Sequence, residues 1–160
     1  MIILLFGQPA SGKTTLADRL FTKFTKDPIF APNPIKVDGD RWRDITQNKD
    51  YSLEGRKKNI RSAFDMALYL EKEGYTPIIS FVCPYDDLRQ YLVGKANDTA
   101  LIHLYYNEDR GRNDRFVPEI EEHDGYFLKI NTSKVGVDDS VTSIYEYIKS
   151  KFKWKKESGM

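Results

Sequence analysis

The stretch that decides the fold is GQPASGKTT, residues 7–15, which directly follows the apolar run MIILLF. Its glycines, lysine and first threonine have the spacing G-x-x-x-x-G-K-T, which is typical of a loop that holds phosphate groups between a strand and a helix. An apolar segment precedes the loop and a segment with helical spacing comes after it, as the motif requires. We therefore predict a phosphate-binding loop, and the residues that we expect to contact a nucleotide there are Gly7, Ser11, Gly12, Lys13, Thr14 and Thr15.

In such a loop the chemistry is divided between the backbone and two side chains. Backbone N–H groups and the positive end of the following helix attract phosphate oxygens, and glycines let the chain bend without a Cβ in the way. Lys13 is expected to place its charge on the β- and γ-phosphates, and the Thr14 hydroxyl is expected to bind Mg²⁺. The alternative is an ordinary Gly-Ser turn before a helix. The motif alone does not separate a kinase from a GTPase-like switch.

The composition bounds the kind of protein. The chain has 160 residues, a net charge of +1 and one cysteine. This length favours a single domain, which we place at 1–152, followed by a polar tail at 153–160. The balanced charge does not indicate a nucleic-acid partner, no apolar stretch is long enough to span a membrane, and the lone cysteine fits a reducing compartment. We therefore expect a cytoplasmic protein.

Strand patterns alternate with helix patterns along the chain. We predict strands at 2–6, 35–37, 76–82, 100–106 and 126–130, and helices at 13–23, 52–74, 84–93 and 138–151. This alternation is typical of βαβ units, in which helices join parallel strands and cover the sheet. The predicted fold class is α/β, a P-loop NTPase-type three-layer fold with a central, mostly parallel five-stranded sheet and helices on both faces.

Two aspartates, Asp38 and Asp40, come after the second predicted strand. Ligands of an open parallel sheet lie beyond the carboxyl ends of its strands, so both carboxylates are expected near the phosphate-binding loop. There a carboxylate can orient Mg²⁺ through water or accept the proton of an attacking hydroxyl. The alternative is an acidic turn, because Asp-Gly is common in turns. The third strand ends in SFVCP without an acidic residue, which disfavours a GTPase switch or a motor ATPase.

A basic and aromatic cluster comes next. Arg43 precedes Tyr51, and Arg56 and Asn59 are three residues apart, so they share one face of the helix predicted at 52–74. Arginine forks suit phosphate or sulfate-like oxygens, and an aromatic ring offers a face to a base. The alternative is a set of solvated charges that pair with nearby acidic residues.

Taken together, these motifs resemble the adenylylsulfate kinase family. The matching segments occur in the family's order and cover most of the chain, namely GxxxSGKTT at 7–15, DGDxxR at 38–43, RxxNIR at 56–61, SFxxPY at 80–85 and INTS at 130–133. The resemblance implies ATP binding at 7–15, Lys13, Asp38 and Asp40 as catalytic residues, and Mg²⁺ near Thr14 and Asp38. It implies an acceptor site formed by Asp40, Arg43, Tyr51, Arg56, Asn59 and Phe81. Members of the family often pair, so a homodimer is a further expectation.

One departure from the family pattern lies at 83–89. The family reads SPYRxxR, whereas this chain reads CPYDDLR. Asp86 therefore replaces the first arginine and inverts a charge near the predicted acceptor site. Arg89 matches the second arginine and is assigned to the acceptor site.

A second departure is the lid, which we place at 107–122. The family's longer basic segment is missing, and the short EDRGRNDRF takes its place at 108–116. In this segment Arg110 and Arg112 are assigned to ATP, and Phe116 is assigned to the acceptor as a second stacking aromatic. The alternative is a surface loop whose arginines pair with neighbouring acids.

The resulting hypothesis is a kinase that uses ATP and Mg²⁺. The acceptor implied by the resemblance is the 3′-hydroxyl of adenosine 5′-phosphosulfate (adenylylsulfate), which gives 3′-phosphoadenylylsulfate. A second hypothesis keeps the reaction but changes the acceptor to a nucleoside, a modified nucleic-acid base or a polynucleotide end. A third is a nucleotide-binding module without transfer. His103, His123 and Cys83 lack metal-ligand spacing and are interpreted as core or surface residues.

Overall fold

A five-stranded parallel sheet forms the centre of the described chain. The computed structural model describes residues 1–111, 118–123 and 125–159, without the side chain of Trp154. The strands lie in the order β2-β3-β1-β4-β5, and every adjacent pair is parallel. The elements are β1 (Ile2–Phe6), α1 (Lys13–Lys26), β2 (Pro34–Asp38), α2 (Gly39–Thr46), α3 (Leu53–Lys72), β3 (Thr76–Phe81), α4 (Asp86–Lys95), β4 (Thr99–Tyr105), β5 (Leu128–Asn131) and α5 (Val137–Glu157). The predicted fold class is confirmed.

Strand β1 is central because it is apolar on both faces. Ile3 and Leu5 belong to a core that includes residues of α1 and α5, whereas Ile2 and Leu4 belong to a core that includes residues of α3 and α4. All four side chains are fully buried. A strand of this kind must be covered by helices on both sides, as in a parallel α/β sheet. The glycine-rich loop therefore starts at the carboxyl end of the central strand.

Helix α2 is the element that the sequence analysis does not predict. None of its residues is buried, so it presents no apolar stripe for periodicity to detect. The helix begins at Asp38, whose side chain accepts hydrogen bonds from the backbone N–H groups of Asp40 and Arg41. This is an N-cap, which satisfies amide groups that lack partners inside the helix. One of the two predicted active-site carboxylates therefore also has a structural role.

The last helix extends into the segment 153–160, so its predicted end at 151 is wrong. Helix α5 continues to Glu157, past the predicted helix end at 151. The ring of Phe152 packs edge-on at 5.2 Å from that of Phe30, and the Lys155 ammonium donates to the Asn97 carbonyl at 3.2 Å. These contacts attach the last turns to the domain, which their polar composition does not reveal.

Helix α3 carries the predicted acceptor residues. Its N-cap is Ser52, whose hydroxyl accepts from the N–H of Gly55 at 3.2 Å. Gly74 lies just beyond its end with φ +91°, a left-handed conformation that suits glycine. Both signals are visible in the sequence, and the predicted bounds lie within two residues of the observed ones. Among the described helices, none is both long and apolar enough to cross a membrane.

Candidate active site

The conformation of the glycine-rich loop requires glycine at two positions, Gly7 and Gly12. A Cβ on Gly7 would lie 2.1 Å from the carbonyl oxygen of Leu104, so no other residue fits there without displacing β4. Gly12 has φ +99° and immediately precedes α1. Between them, Ser11 is fully buried. The loop therefore turns sharply from β1 into the start of α1, whose N–H groups are suited to anions.

The Lys13 ammonium lies against this loop. It donates hydrogen bonds to the carbonyl oxygens of Gly7 at 3.0 Å and Gln8 at 2.8 Å, and to the hydroxyl of Ser11 at 3.3 Å. Its positive charge is thus held beside the backbone that is expected to surround the phosphates. This placement fits the predicted contact with β- and γ-phosphates.

Asp38 connects three elements at the end of the sheet. One carboxylate oxygen accepts from the Thr14 hydroxyl at 3.3 Å and from the Ser80 hydroxyl at 3.2 Å. The other caps α2. Ser80 lies on β3, next to β2, and the sequence analysis missed it although it opens the SFxxPY motif. The Thr14 hydroxyl and the Asp38 carboxylate therefore lie side by side, as the prediction requires.

These oxygen donors fit Mg²⁺ that is shared with a nucleotide. Mg²⁺ is commonly bound through one or two carboxylates, with phosphates and water completing its shell. Among the described residues, no cluster of three or more His, Cys, Asp or Glu side chains could hold a metal by itself. Thr14 and Asp38 are thus suited to an ion that arrives with its phosphates.

A large cleft joins the loop to the basic and aromatic cluster. It has a volume of about 1290 Å³. The predicted site residues that line it are Gly12, Lys13, Thr14, Thr15, Asp38, Asp40, Arg43, Tyr51, Arg56, Asn59 and Phe81. Lining residues that the sequence analysis missed include Gln47, Asn48, Lys49, Tyr85 and Pro118. Lys49 lies between Arg43 and Tyr51 in the chain. This position is the only feature of the sequence that could have assigned Lys49 to the cleft.

Arg43 and Tyr51 contact each other at the outer part of the cleft. The Arg43 guanidinium lies 4.6 Å from the centre of the Tyr51 ring, and it also donates to the carbonyl oxygens of Asn48 at 3.0 Å and Asp50 at 3.4 Å. These bonds all come from one nitrogen, Nη1, so that side of the guanidinium faces its own loop. The Tyr51 side chain is 63% exposed, which leaves one face of the ring open to a planar ligand.

Asn59 lies at the floor of the same cleft, one helical turn after Arg56. It is 3% exposed, and its Oδ1 atom has no hydrogen-bond partner among the described residues. A buried polar atom without a partner is costly, and functional sites are one of the places where it is tolerated. Arg56 and Asn59 thus present a charge and an amide on one helix face, as predicted from their spacing.

Arg89 does not line the cleft, which corrects its assignment to the acceptor site. Its side chain is fully buried, and the guanidinium lies 4.6 Å from the centre of the Phe6 ring. It donates to the carbonyl oxygens of Cys83 at 2.6 Å and of Glu121. The match to the family motif assigned Arg89 to the acceptor site but could not show that this side chain is buried away from the cleft.

Asp86, which replaces a family arginine, likewise has protein partners. Its carboxylate lies 3.3 Å from the Arg89 guanidinium and 2.6 Å from Nδ1 of His123. Burial by itself would raise the pKa of this carboxyl, but the hydrogen bonds from His123 and Gln90 and the charge of Arg89 lower the pKa below its ordinary value. The inverted charge is thus neutralised within the fold and is not among the residues that line the cleft.

Arg110 reaches the glycine-rich loop from the predicted lid. It donates to the carbonyl oxygen of Ala10 at 2.9 Å and to the Thr132 hydroxyl at 3.0 Å, and it lies 4.3 Å from the centre of the Tyr106 ring. Its guanidinium also pairs with the Glu108 carboxylate at 2.6 Å, as in the alternative of a surface loop, so the ATP contact of Arg110 stays a prediction. Arg112 and Phe116, the other two lid assignments, lie outside the described residues.

Cys83 is buried at the end of β3 and is expected to be unreactive. Burial raises the pKa of its thiol from 9.0 to about 12, so the reactive thiolate is scarce at neutral pH. We expect alkylation of the native protein at pH 8 to be at least about a thousandfold slower than in denaturant, because reaction requires opening of the fold. Mass spectrometry of iodoacetamide-treated samples measures both rates. Equal rates would show that the thiol is accessible.

The sheet, with the glycine-rich loop at the end of its central strand, defines the chain as an α/β protein of the P-loop NTPase class. The family model described as adenylylsulphate kinase matches residues 1–115. The chain therefore belongs to the adenylylsulfate kinase family.

Individual relatives agree with this membership. The adenylyl-sulfate kinase of Staphylococcus haemolyticus is 27% identical over 176 residues, covering 94% of this chain and 85% of the relative. A probable adenylyl-sulfate kinase of Halalkalibacterium halodurans is 26% identical, with 92% and 82% covered. The Mycobacterium tuberculosis APS kinase, solved with AMPPNP and APS, superposes with a TM-score of 0.78 over 92% of this chain and 96% of that one. At 15% identity, this last likeness shows the fold alone.

Proposed function

We propose that this protein transfers the γ-phosphoryl group of ATP to the 3′-hydroxyl of adenosine 5′-phosphosulfate. The observation that carries the proposal is that a single cleft is lined by the start of α1 with Lys13, by Asp40, and by the face of α3 with Arg56 and Asn59. A nucleotide at one end and an anionic acceptor at the other would meet beside Asp40. Membership of the adenylylsulfate kinase family supports this choice of donor and acceptor.

The positions of the residues suggest their roles. Lys13 binds the β- and γ-phosphates, and Thr14 and Asp38 would hold Mg²⁺, which would supply positive charge beside these phosphates. Asp40 is exposed in the first turn of α2, where it orients the acceptor hydroxyl and takes its proton late in transfer. Arg56 binds the acceptor's anionic group, and the open face of Tyr51 stacks on its base.

A coupled ADP-release assay tests the reaction. Purified protein with ATP and Mg²⁺ is given adenylylsulfate, nucleosides or DNA ends in parallel. We expect turnover that depends on adenylylsulfate. Turnover with a different acceptor would replace the substrate assignment, and ATP binding without turnover on any acceptor would favour a non-catalytic module.

Arg56 and Asn59 give a prediction specific to the acceptor. Each variant, Arg56→Ala or Asn59→Ala, should raise the acceptor KM by about 10- to 150-fold and leave the ATP KM unchanged, because a lost charge-assisted contact costs about 1.5–3 kcal/mol. Arg61→Ala is the matched control, since this guanidinium lies on the same helix over the Tyr91 ring. Initial rates at varied ATP and varied acceptor separate the two constants. A raised ATP KM with an unchanged acceptor KM would mean that the two ends of the cleft are assigned the wrong way round.

A related kinase with another hydroxyl acceptor is the second candidate. The observation that favours it is Arg43, whose guanidinium is bound to the carbonyl oxygens of Asn48 and Asp50 and stacked on Tyr51. If these contacts persist with substrate, Nη1 of Arg43 cannot take part in the bidentate anion contact implied by the family. The same acceptor panel decides between the candidates.

A further inference from the structure

Segment 118–123 is docked on the start of helix α4. The N–H of Glu121 donates to the carbonyl oxygen of Pro84 at 2.9 Å, and the N–H of Asp86 donates to the Glu121 carboxylate at 2.7 Å. Tyr85, the N-cap of α4, makes no side-chain cap of its own. Glu121 therefore caps this helix from a distant part of the chain, with a charge that suits a helix N-terminus.

Arg89 and Asp86 add buried charge to this contact. The Arg89 guanidinium donates to the backbone oxygen of Glu121 and lies 3.3 Å from the Asp86 carboxylate. Asp86 in turn contacts His123, whose side chain is only 3% exposed. A buried guanidinium requires a counter-charge, and removal of that counter-charge is strongly unfavourable. An arginine at position 86, as in the family pattern, would instead face Arg89 and His123.

The docked segment reaches the glycine-rich loop at its other end. The carbonyl oxygen of Pro118 accepts from the Gln8 side-chain amide at 3.0 Å, and the backbone oxygen of Gln8 accepts from the Lys13 ammonium. Arg89 also packs on Phe6, the residue that precedes the loop. Two chains of contacts therefore run from Asp86 to the loop that holds Lys13.

We propose that Asp86 is a positioning residue for nucleotide binding, which holds segment 118–123 in place through Arg89 and His123 and thereby fixes the glycine-rich loop. The charge that departs from the family pattern thus acts on the donor end of the cleft and not on the choice of acceptor. This inference requires that the loop binds a nucleotide, but it holds for any acceptor.

Four variants test the clamp formed by Asp86, Arg89 and His123. Asp86→Asn removes the charge that faces both Arg89 and His123, and His123→Ala removes the contact of the imidazole with Asp86. His123→Asn retains an amide nitrogen near the position of Nδ1. Asp87→Asn is the matched control, because Asp87 lies in the same helical turn and pairs with Lys57 at the surface. The readouts are the Kd of ATP-Mg²⁺ by calorimetry without acceptor, and amide hydrogen exchange of a peptide that covers 118–123.

We expect Asp86→Asn and His123→Ala to raise both the Kd for ATP-Mg²⁺ and the exchange rate of segment 118–123 about tenfold. The loss of a charge-assisted hydrogen bond changes an equilibrium constant by at least about a factor of ten. His123→Asn should restore most of the difference, and Asp87→Asn should match wild type. All binding is measured well below each variant's melting temperature. Faster exchange with an unchanged Kd would overturn the proposal, because the clamp would then have only a structural role. An unchanged exchange rate would overturn it as well.

Asp86→Arg separates positioning from acceptor choice. Restoring the family residue should weaken ATP binding more than Asp86→Asn does and should leave the order of preference in the acceptor panel unchanged. A new acceptor preference with an unchanged Kd for ATP would overturn the proposal in favour of a specificity role. If wild type binds ATP but phosphorylates no acceptor, the proposed function fails while the Kd and exchange results still decide on the clamp.

Discussion

Lys13→Ala is expected to reduce phosphoryl transfer by at least about 10²–10³-fold, the usual effect of removing one donor that stabilises developing charge in a transition state. The ammonium lies within 3.3 Å of three oxygen atoms of the glycine-rich loop. No neutral side chain can supply this charge to the β- and γ-phosphates. The loss should appear in kcat as well as in the ATP KM, because negative charge develops on the oxygens of the leaving β-phosphate during transfer.

The fold should survive this change, because the glycines set the loop's backbone and the loop oxygens can bind water when the ammonium is removed. A melting-temperature change below about 4 °C is expected, which corresponds to roughly 1 kcal/mol for a domain of this size. Lys26→Ala, at the exposed end of the same helix, is the control. Wild-type turnover in a folded Lys13→Ala protein would remove the phosphate-loop interpretation.

The sequence predicts the fold well because two strong signals agree. The run MIILLF identifies a strand that must be covered on both faces, and G-x-x-x-x-G-K-T identifies the loop and the helix that come after this strand. Helix α2 could not be predicted in this way, since it is stabilised by the Asp38 cap and has no buried side chain. The end of α5 could not either, because its attachment depends on contacts with distant residues such as Phe30.

The sequence predicts which residues form the candidate site, but it does not predict how their side chains are oriented. Spacing on α3 correctly brings Arg56 and Asn59 to one cleft, because helical periodicity is local. The family match failed for Arg89, whose burial depends on Phe6 and Glu121, residues far away in the chain. The predicted homodimer and cytoplasmic location, and the lid role of 107–122, stay predictions.

Asp40 and Asp38 lie close together but have different surroundings, and this difference assigns their roles. Asp38 is bound to Thr14, to Ser80 and to the backbone of α2. Asp40 is exposed at the start of α2 and lines the cleft that also contains the glycine-rich loop, Arg56 and Asn59. A carboxylate with protein partners is suited to hold a metal shell in place, and an exposed one is suited to contact an incoming hydroxyl.

Asp40→Asn is therefore expected to bind ATP-Mg²⁺ normally and to lose about 10²–10⁴ in kcat, the usual contribution of a general base. The substitution is nearly isosteric, so the fold and the cleft should be unchanged. Asp44→Asn, one turn further along α2, is the comparator, because it removes the same charge from the same helix face. A loss of similar size in Asp44→Asn would indicate a general effect of charge and would contradict a base at position 40.

Asp38→Asn completes the argument, because asparagine is as good an N-cap as aspartate and so preserves the start of α2. The substitution removes the charge beside the Thr14 hydroxyl and replaces the oxygen that accepts from Thr14 and Ser80 with an NH2 donor, so both hydroxyls must turn to other acceptors. We expect this variant to need a higher Mg²⁺ concentration for half-maximal rate and to recover most of its kcat at saturating Mg²⁺. Magnesium titrations of both variants decide the assignment. Rescue of Asp40→Asn but not of Asp38→Asn would exchange the two roles. A general base is expected to contribute more than about tenfold to the rate. If neither variant slows transfer by about tenfold, the DGD segment is only the turn that begins α2.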